Sequence, residues 1–123
     1  SQEEEAKPEG QWIGLANTTS LLEHWADVAD LGASAWLFQE ARCRSSEGNE
    51  LLRKSGWTAL WSQPGEDREC LTAVAGKGGH LGKVPPFLTD KWAQRVVAGM
   101  WAPEKGRPIL LVSIYEVSSP TAA

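Results

Sequence analysis

The chain has 123 residues, of which 41% are hydrophobic and 23% charged, and these values are typical of one globular domain. Its formal net charge is −4 and no basic stripe is present, which disfavours a stand-alone DNA- or RNA-binding protein. Acidic residues are concentrated before position 10. We therefore predict a flexible acidic tail over residues 1–10, a folded domain over residues 11–117 and a short second tail over residues 118–123.

The cysteines and the hydropathy pattern define the expected compartment. Cys43 and Cys70 are too few for a disulfide framework and lack Cys-x-x-Cys spacing. Free thiols in a reducing compartment are favoured, with pairing left open should the fold bring the two together. The sequence has no apolar run near the roughly 18 residues of a membrane span and no visible signal peptide. An intracellular compartment or an organelle is therefore favoured over secretion.

The first part of the chain predicts a strand–helix–strand unit. Residues 12–16 form an apolar run that is typical of a strand. Ser20 and Glu23 then have the spacing of a capping box at the start of a helix, and Gly32 provides its C-terminal stop. The unbroken apolar run over residues 35–39 predicts a strand that is covered on both faces.

The rest of the chain predicts further strands and one more short helix. The helix is expected over residues 46–55, and the Gly-rich segment 76–86 is expected to be a loop. The alternating or apolar segments expected as strands are residues 57–61, 71–75, 94–102 and 108–115. The sequence therefore predicts an α/β (α+β) domain with one mixed, mostly antiparallel sheet of about six strands and two helices on one face.

Seven tryptophans are many for a chain of this length. Most large apolar side chains fill a core, and this is the ordinary expectation for these residues as well. Both predicted helices cover the same sheet face, however, and no further predicted element is left to cover the other one. We therefore predict that Trp57, Trp61 and Trp101 lie on an uncovered sheet face, where a protein partner docks.

Several familiar chemical motifs are incomplete in this sequence. The Gly-rich run 76–83 has five residues where a P-loop has four, and Val84 stands where Ser or Thr would hold Mg²⁺. His24 and His80 are the only histidines, and neither has a partner at zinc-ligand spacing. Because no Gly-x-Ser-x-Gly elbow is present either, zinc chemistry and a Ser/His/Asp triad are disfavoured.

Polar side chains end three of the predicted strands, and these are Asn17, Glu40 and Tyr115. Strand ends in α/β proteins meet at one sheet edge, where chemistry takes place, so these side chains are candidates for one site. Amide and carboxylate oxygens suit Mg²⁺ or Mn²⁺. The plain structural alternative for Glu40 is an ordinary acid that pairs with Arg42 or faces solvent.

Taken together, these motifs resemble the endonuclease/exonuclease/phosphatase superfamily, which includes apurinic endonucleases, DNase I-like enzymes and non-LTR retrotransposon endonucleases. Its strand ending in Asn is matched by Leu-Ala-Asn at residues 15–17. Its Leu-Gln-Glu motif is matched, with one additional residue, by Leu-Phe-Gln-Glu at residues 37–40. Its strand closing on Tyr is matched by Val-Ser-Ile-Tyr at residues 112–115. The resemblance extends from residue 12 to about residue 117.

The resemblance implies the N-terminal half of a four-layer α/β/β/α sandwich, which has about twice this length. It implies that Asn17 and Glu40 hold a divalent metal, Mg²⁺ or Mn²⁺, and that Tyr115 contacts a phosphate as a vestigial catalytic residue. The second half of the family fold brings an Asp-x-Asn pair and a late Ser-Asp-His segment, which supply the base and further ligands. This chain contains no Asp-x-Asn sequence.

Two functions remain open on this basis. The first is a non-catalytic structural or interaction module that docks on a larger complex, for example an organellar one, through its uncovered face. The alternative is the N-terminal half of a Mg-dependent endonuclease that needs the missing half for activity, and only in that case is nucleic acid an expected partner. We favour the first, because catalytic groups that act as a unit lose most of their effect when several are missing.

Overall fold

The structure is a computed structural model, and it describes residues 12–85 and 92–116. The elements in chain order are β1 (Ile13–Asn17), α1 (Leu21–Ala29), β2 (Ala35–Cys43), α2 (Ser45–Arg53), β3 (Trp57–Trp61), β4 (Cys70–Lys77), β5 (His80–Lys83), β6 (Val96–Ala102) and β7 (Ile109–Ile114). Neither helix in these two ranges is long and apolar enough to cross a membrane. The predicted tails, residues 1–10 and 118–123, lie outside the described residues.

The strands form two sheets that pack face to face. The first sheet has the order β1-β2-β4-β3, with β1 parallel to β2 and the other pairs antiparallel. The second is an antiparallel sheet with the order β5-β6-β7, and its strands contact β2, β3 and β4. The prediction of one sheet of about six strands is therefore wrong. Strand β5 lies in the Gly-rich segment that was expected to be a loop, and it pairs with β6.

Both helices cover one face of the four-stranded sheet, as predicted from the sequence. Their buried side chains pack on alternate residues of β2, β3 and β4 to form the helix-side core. Trp25 of α1 contacts Phe38 and Trp57 edge-to-face, with ring centroids 6.2 Å and 5.3 Å apart. Such aromatic pairs stabilise by about 0.5–1.5 kcal/mol beyond their burial. These contacts fix α1 across the sheet.

The local signals that begin the helices differ from the predicted ones. Ser20 is the N-cap of α1, but its side chain makes no capping hydrogen bond, so the expected capping box with Glu23 does not form. A capping-box contact forms at α2, where the backbone N–H of the N-cap residue Arg44 donates to Glu47 Oε1 at 3.1 Å. Gly32, at φ 85°, ends the segment after α1, as the sequence predicts.

The second face of the four-stranded sheet is covered by β5, β6 and β7. The inter-sheet core contains Val74 of β4 and Trp101 of β6, and Trp101 is fully buried. The Trp101 indole lies against Gly76 of β4, where a Cβ would collide with the ring. Because Gly76 has no side chain, the first sheet leaves the space that the Trp101 ring of the second sheet fills.

The prediction that Trp57, Trp61 and Trp101 lie on an uncovered sheet face is wrong. Trp57 is buried in the helix-side core and Trp101 in the inter-sheet core. Trp61 is partly buried and packs against α2, where its indole N–H donates to Asn49 Oδ1 at 2.8 Å and its ring lies over Gly48. These tryptophans join elements of one chain, and the face expected to need a partner is covered by the second sheet.

A different apolar surface is exposed on the other side of the three-stranded sheet. We call it the outer face, and within the described residues its exposed apolar side chains are Met100 at 41%, Leu110 at 46%, Val112 at 40% and Ile114 at 58%. Met100 pairs with Leu110 across β6 and β7, so these side chains form one continuous patch. Contiguous apolar patches of this kind are typical of interaction surfaces.

Candidate metal and phosphate site

The end of β1 lies beside the middle of β2, because the two strands are parallel and in register. Asn17 pairs with Gln39 at the last position of the ladder. Beyond it, the Thr18 N–H donates to the Gln39 carbonyl at 3.0 Å, and Thr18 Oγ1 donates to the Glu40 carbonyl at 3.1 Å. Two of the predicted site residues, Asn17 and Glu40, are therefore neighbours at one sheet edge.

Glu40 lies in an irregular part of β2. Gln39 pairs with Thr72 of β4, and the next registered pair is Cys43 with Cys70, so residues 40–42 stand opposite one residue of β4. Glu40 has φ 55° and Arg42 has φ 50°, in the left-handed region that non-glycine residues rarely adopt. Such conformations cost about 1–3 kcal/mol each and persist where surrounding contacts fix them. We call residues 40–42 the β2 bulge.

Contacts on both sides hold the β2 bulge in this conformation. The hydroxyl of Thr18 binds the Glu40 carbonyl, while the side chain of Ala41 is fully buried in the helix-side core. Ala41 therefore points inward, and the flanking Glu40 and Arg42 are more exposed. The bulge presents a carboxylate and a guanidinium at the same edge of the sheet.

Within the described residues, Glu40 forms an ion pair with Arg42, two positions further along β2. The guanidinium nitrogen of Arg42 lies 3.6 Å from Glu40 Oε1, and the two side chains are 50% and 25% exposed. Exposed ion pairs of this kind contribute about 0.2–1 kcal/mol. A metal ion at Glu40 must therefore compete with Arg42, although the competing interaction is weak.

A buried polar network brings the end of β7 to the same place. Gln39 Nε2 donates to Ser113 Oγ at 2.9 Å, and Thr72 Oγ1 donates to the Phe38 carbonyl at 2.7 Å. The hydroxyls of Thr72 and Ser113 are hydrogen bonded to each other. Tyr115 follows two residues after Ser113, and its N–H donates to the Arg95 carbonyl at 2.7 Å. All three predicted strand-end residues thus lie at one end of the sandwich.

The donor atoms at this site fit a weakly held magnesium ion. Asn17 and Glu40 offer only oxygen ligands, and Mg²⁺ in proteins keeps several waters and takes one or two carboxylates. Asn17 Oδ1 also accepts the Thr19 N–H at 3.1 Å, so it is only partly available. The described ranges contain no group of three or more His, Cys, Asp or Glu side chains that could hold a metal. Metal binding by Asn17 and Glu40 and phosphate contact by Tyr115 stay predictions.

The sequence reasoning did not identify Thr18, Thr72 and Ser113, which fix the geometry of this site. Thr72 and Ser113 are buried hydroxyls inside otherwise apolar strands. A hydroxyl at an inward position needs a hydrogen-bond partner, so its presence in an apolar run was a usable signal. The sequence does not say which strand supplies that partner, because the contact joins residues 41 positions apart.

Comparison with known proteins finds no matching family model and no matching curated protein. Among solved structures, the fold is similar to the 3′-5′ exonuclease NExo from Neisseria meningitidis, with a TM-score of 0.52 and 22% identity over 73% of this chain and 37% of that one. It is also similar to a 3′ phosphatase NExo from Neisseria bound to a product DNA hairpin, with a TM-score of 0.54 and 21% identity over 82% of this chain and 40% of that one.

At these identities the similarity concerns the fold. The chain spans about two fifths of the length of the structures that it matches. This agrees with the resemblance drawn from the strand-end motifs, and with a partial domain. The structure described here is therefore similar in fold to part of these two NExo structures.

Proposed function

We propose that this chain, taken alone, is a structural and interaction module of an endonuclease/exonuclease/phosphatase fold without phosphodiesterase activity. The observation that carries the proposal is the apolar outer face, formed by Met100, Leu110, Val112 and Ile114. A continuous apolar surface on a sheet is stabilised when another layer covers it. The module therefore docks through the outer face, in place of the tryptophan face that the sequence suggested.

The occupant that we propose for the outer face is the remaining part of the same fold. Three fifths of each matched NExo chain have no counterpart in this one. A further layer of that fold, carried by the same polypeptide or by a separate one, would bring an apolar face to β6 and β7. Coverage of these strands would also complete the four layers that the sequence resemblance implies.

Inactivity of the isolated chain follows from the small number of groups at the site. Asn17, Glu40 and Tyr115 would provide metal and phosphate contacts, and a bound Mg²⁺ would polarise a phosphoryl oxygen. Activation of the attacking water needs a positioned base as well. The described ranges show no cluster of three acidic, His or Cys side chains from which a metal-assisted base could be drawn.

The first test is cleavage of DNA by the purified chain. With Mg²⁺ and either an abasic duplex or supercoiled plasmid, we expect no cleavage above that of the Glu40→Gln variant, because metal and base must act together. Glu40→Gln keeps the size of the side chain and removes its charge. Cleavage that disappears in this variant would show a complete active site and contradict the proposal.

The second test concerns the outer face. Replacing Leu110 and Val112 together by Lys should markedly weaken binding of a hydrophobic dye and change stability by no more than about 0.5 kcal/mol, because both side chains are exposed. Leu15→Lys is the matched control, since Leu15 is 74% exposed on β1, away from the outer face. We expect that control to bind dye as the unmodified chain does.

Two results would contradict this assignment of the outer face. Unchanged dye binding in the double Lys variant would show that the outer face is not the open apolar surface. A stable dimer that dissociates in the double variant would show that a second copy of this chain is the occupant. Sedimentation velocity at several concentrations detects such a dimer and its loss in the double variant.

A second candidate function is one half of a metal-dependent phosphodiesterase, active once the fold is complete. It is favoured by one specific observation, the meeting of Asn17, Glu40 and the end of β7 at one end of the sandwich. On this view the isolated chain has a weak but specific cation site.

Cation binding can be tested through the competing ion pair. Arg42→Ala should raise the affinity for Mn²⁺ by a factor of about 1.4 to 5, because an exposed ion pair of about 0.2–1 kcal/mol is removed. Mn²⁺-induced broadening of NMR signals near residues 17 and 40 measures this affinity. Arg53→Ala is the matched control, since Arg53 makes a similar exposed pair with Glu50 at 3.4 Å. Equal effects of the two variants, or broadening that persists in Glu40→Gln, would contradict the site.

A further inference from the structure

Two buried cysteines face each other across the first sheet. Cys43 of β2 and Cys70 of β4 are registered partners in the antiparallel ladder, and both are free thiols. Opposite residues of such a ladder have Cα atoms about 4.5–5.5 Å apart, and disulfides span Cα distances of about 4.4–6.8 Å. Side chains at opposite positions also leave the sheet on the same face. We propose that Cys43 and Cys70 form a reversible, oxidisable dithiol site that closes to a cross-strand disulfide.

The position of this pair connects it to the candidate site. The β2 bulge is bounded by the pair of Gln39 with Thr72 at one end and by the pair of Cys43 with Cys70 at the other. A bond between the two sulfurs therefore closes the bulge that carries Glu40. Oxidation restricts the one stretch of β2 that is not held by the regular ladder.

The two thiols are both nearly fully buried, but they differ in their position relative to a cavity. Cys70 lines a cavity of about 560 Å³ together with Ser45 and Trp61, while Cys43 does not line it. Burial raises the pKa of Cys70, and the backbone N–H of Ser45 partly offsets this effect. Burial and the nearby Cys70 raise the pKa of Cys43 to about 12. Cys70 is therefore the thiol that reacts first, and Cys43 resolves the product.

The reaction needs an oxidant, and a low-molecular-weight disulfide such as oxidised glutathione is sufficient. The Cys70 thiolate attacks one glutathione sulfur, breaks the S–S bond and releases a glutathione thiolate, which leaves a mixed disulfide on Cys70. The Cys43 thiolate then attacks Cys70 Sγ and releases the second glutathione. Two protein thiols are oxidised, one glutathione disulfide is reduced to two thiols, and the two cysteine protons pass through water to the released thiolates.

The experiment compares the reduced chain with the chain equilibrated in oxidised glutathione under native conditions. We expect an intramolecular disulfide, seen as the loss of two hydrogens in the intact mass and as a linked peptide after non-reducing digestion. The disulfide closes the chain segment between Cys43 and Cys70 into a loop, which restricts the unfolded chain. The midpoint of thermal unfolding should therefore rise by about 10 °C relative to the reduced chain. The rate of disulfide formation should increase about tenfold per pH unit between pH 7 and 8, because both thiols ionise only at higher pH.

Two single variants test the order of reaction. Cys43→Ala should stop at glutathione attached to Cys70, whereas Cys70→Ala should remain unmodified, because Cys43 does not reach the cavity. If the unmodified chain stays reduced, links only between molecules, or oxidises only in denaturant, the proposal is wrong. Equal modification of the two single variants would overturn the assignment of Cys70 as the attacking thiol. None of these readouts depends on nuclease activity or on the outer face.

Discussion

Replacing Trp101 by Ala should lower the free energy of unfolding by about 3–5 kcal/mol. The Trp101 side chain is fully buried in the core between the two sheets, so its removal leaves a cavity that the flanking strands cannot close. A domain of this size has a total stability of about 5–15 kcal/mol, so the expected loss is a large fraction of that total. Urea denaturation followed by circular dichroism measures the change.

Trp92→Ala is the control for this measurement. Trp92 is 50% exposed, and the guanidinium carbon of Arg95 lies over its ring, 5.7 Å from the centroid. An exposed cation–π contact contributes about 0.5–1 kcal/mol, so the control should lose no more than this. If the two tryptophan variants had the same stability, Trp101 would not be a core residue and the packing of the two sheets would be wrong.

Adding one methyl group at Gly76 should destabilise the fold by about 1–3 kcal/mol. A Cβ at this position collides with the indole of Trp101, so the ring or one strand must move. Gly65→Ala is the matched control, because a Cβ there meets only a side-chain oxygen of Asp67 at 3.5 Å. The control should leave the urea midpoint nearly unchanged.

The effects of Trp101→Ala and Gly76→Ala on the free energy of unfolding should not be additive. In the Trp101→Ala background the ring is absent, so Gly76→Ala should cost less than in the unmodified chain, with a coupling of roughly 1–2 kcal/mol. A coupling near zero would show that the cost at Gly76 arises from the strand itself. The double variant therefore separates the contact between the sheets from the conformational effect of alanine.

Sequence periodicity was sufficient for the elements whose partners are close in the chain. The unit β1–α1–β2 and the strand over residues 57–61 follow from local apolar patterns, and the structure confirms them. Strand β5 has no such pattern, because it is short and Gly-rich and depends on Leu81 packing opposite Trp101. The architecture differs from the prediction because β6 and β7 pair with β5 and with each other, and not with the strands of the first sheet. These strands therefore pack on the face of the first sheet that was expected to be open.

The sequence predicted only part of the candidate site, because the rest depends on contacts between residues far apart in the chain. Parallel strands end at the same edge, so Asn17 and Glu40 could be placed together from the sequence alone. The left-handed conformation of Glu40 depends on contacts from Thr18, and no residue type at positions 40–42 indicates it. The position of Tyr115 depends on how one sheet is aligned with the other, which strand patterns do not determine.

The hydroxyl pair of Thr72 and Ser113 determines that alignment. The layer between the sheets is otherwise formed by apolar side chains, which tolerate sliding because their attraction has little directional preference. If β7 moved by two residues, Thr72 would face Leu111 or Tyr115 in place of Ser113. Thr72 would keep its hydrogen bond to the Phe38 carbonyl, but the Ser113 hydroxyl would lose its contacts, and a buried group left without a partner costs about 1–3 kcal/mol. The polar contacts of Ser113 with Thr72, Gln39 and the Phe38 carbonyl thus favour one register between the sheets, next to Glu40.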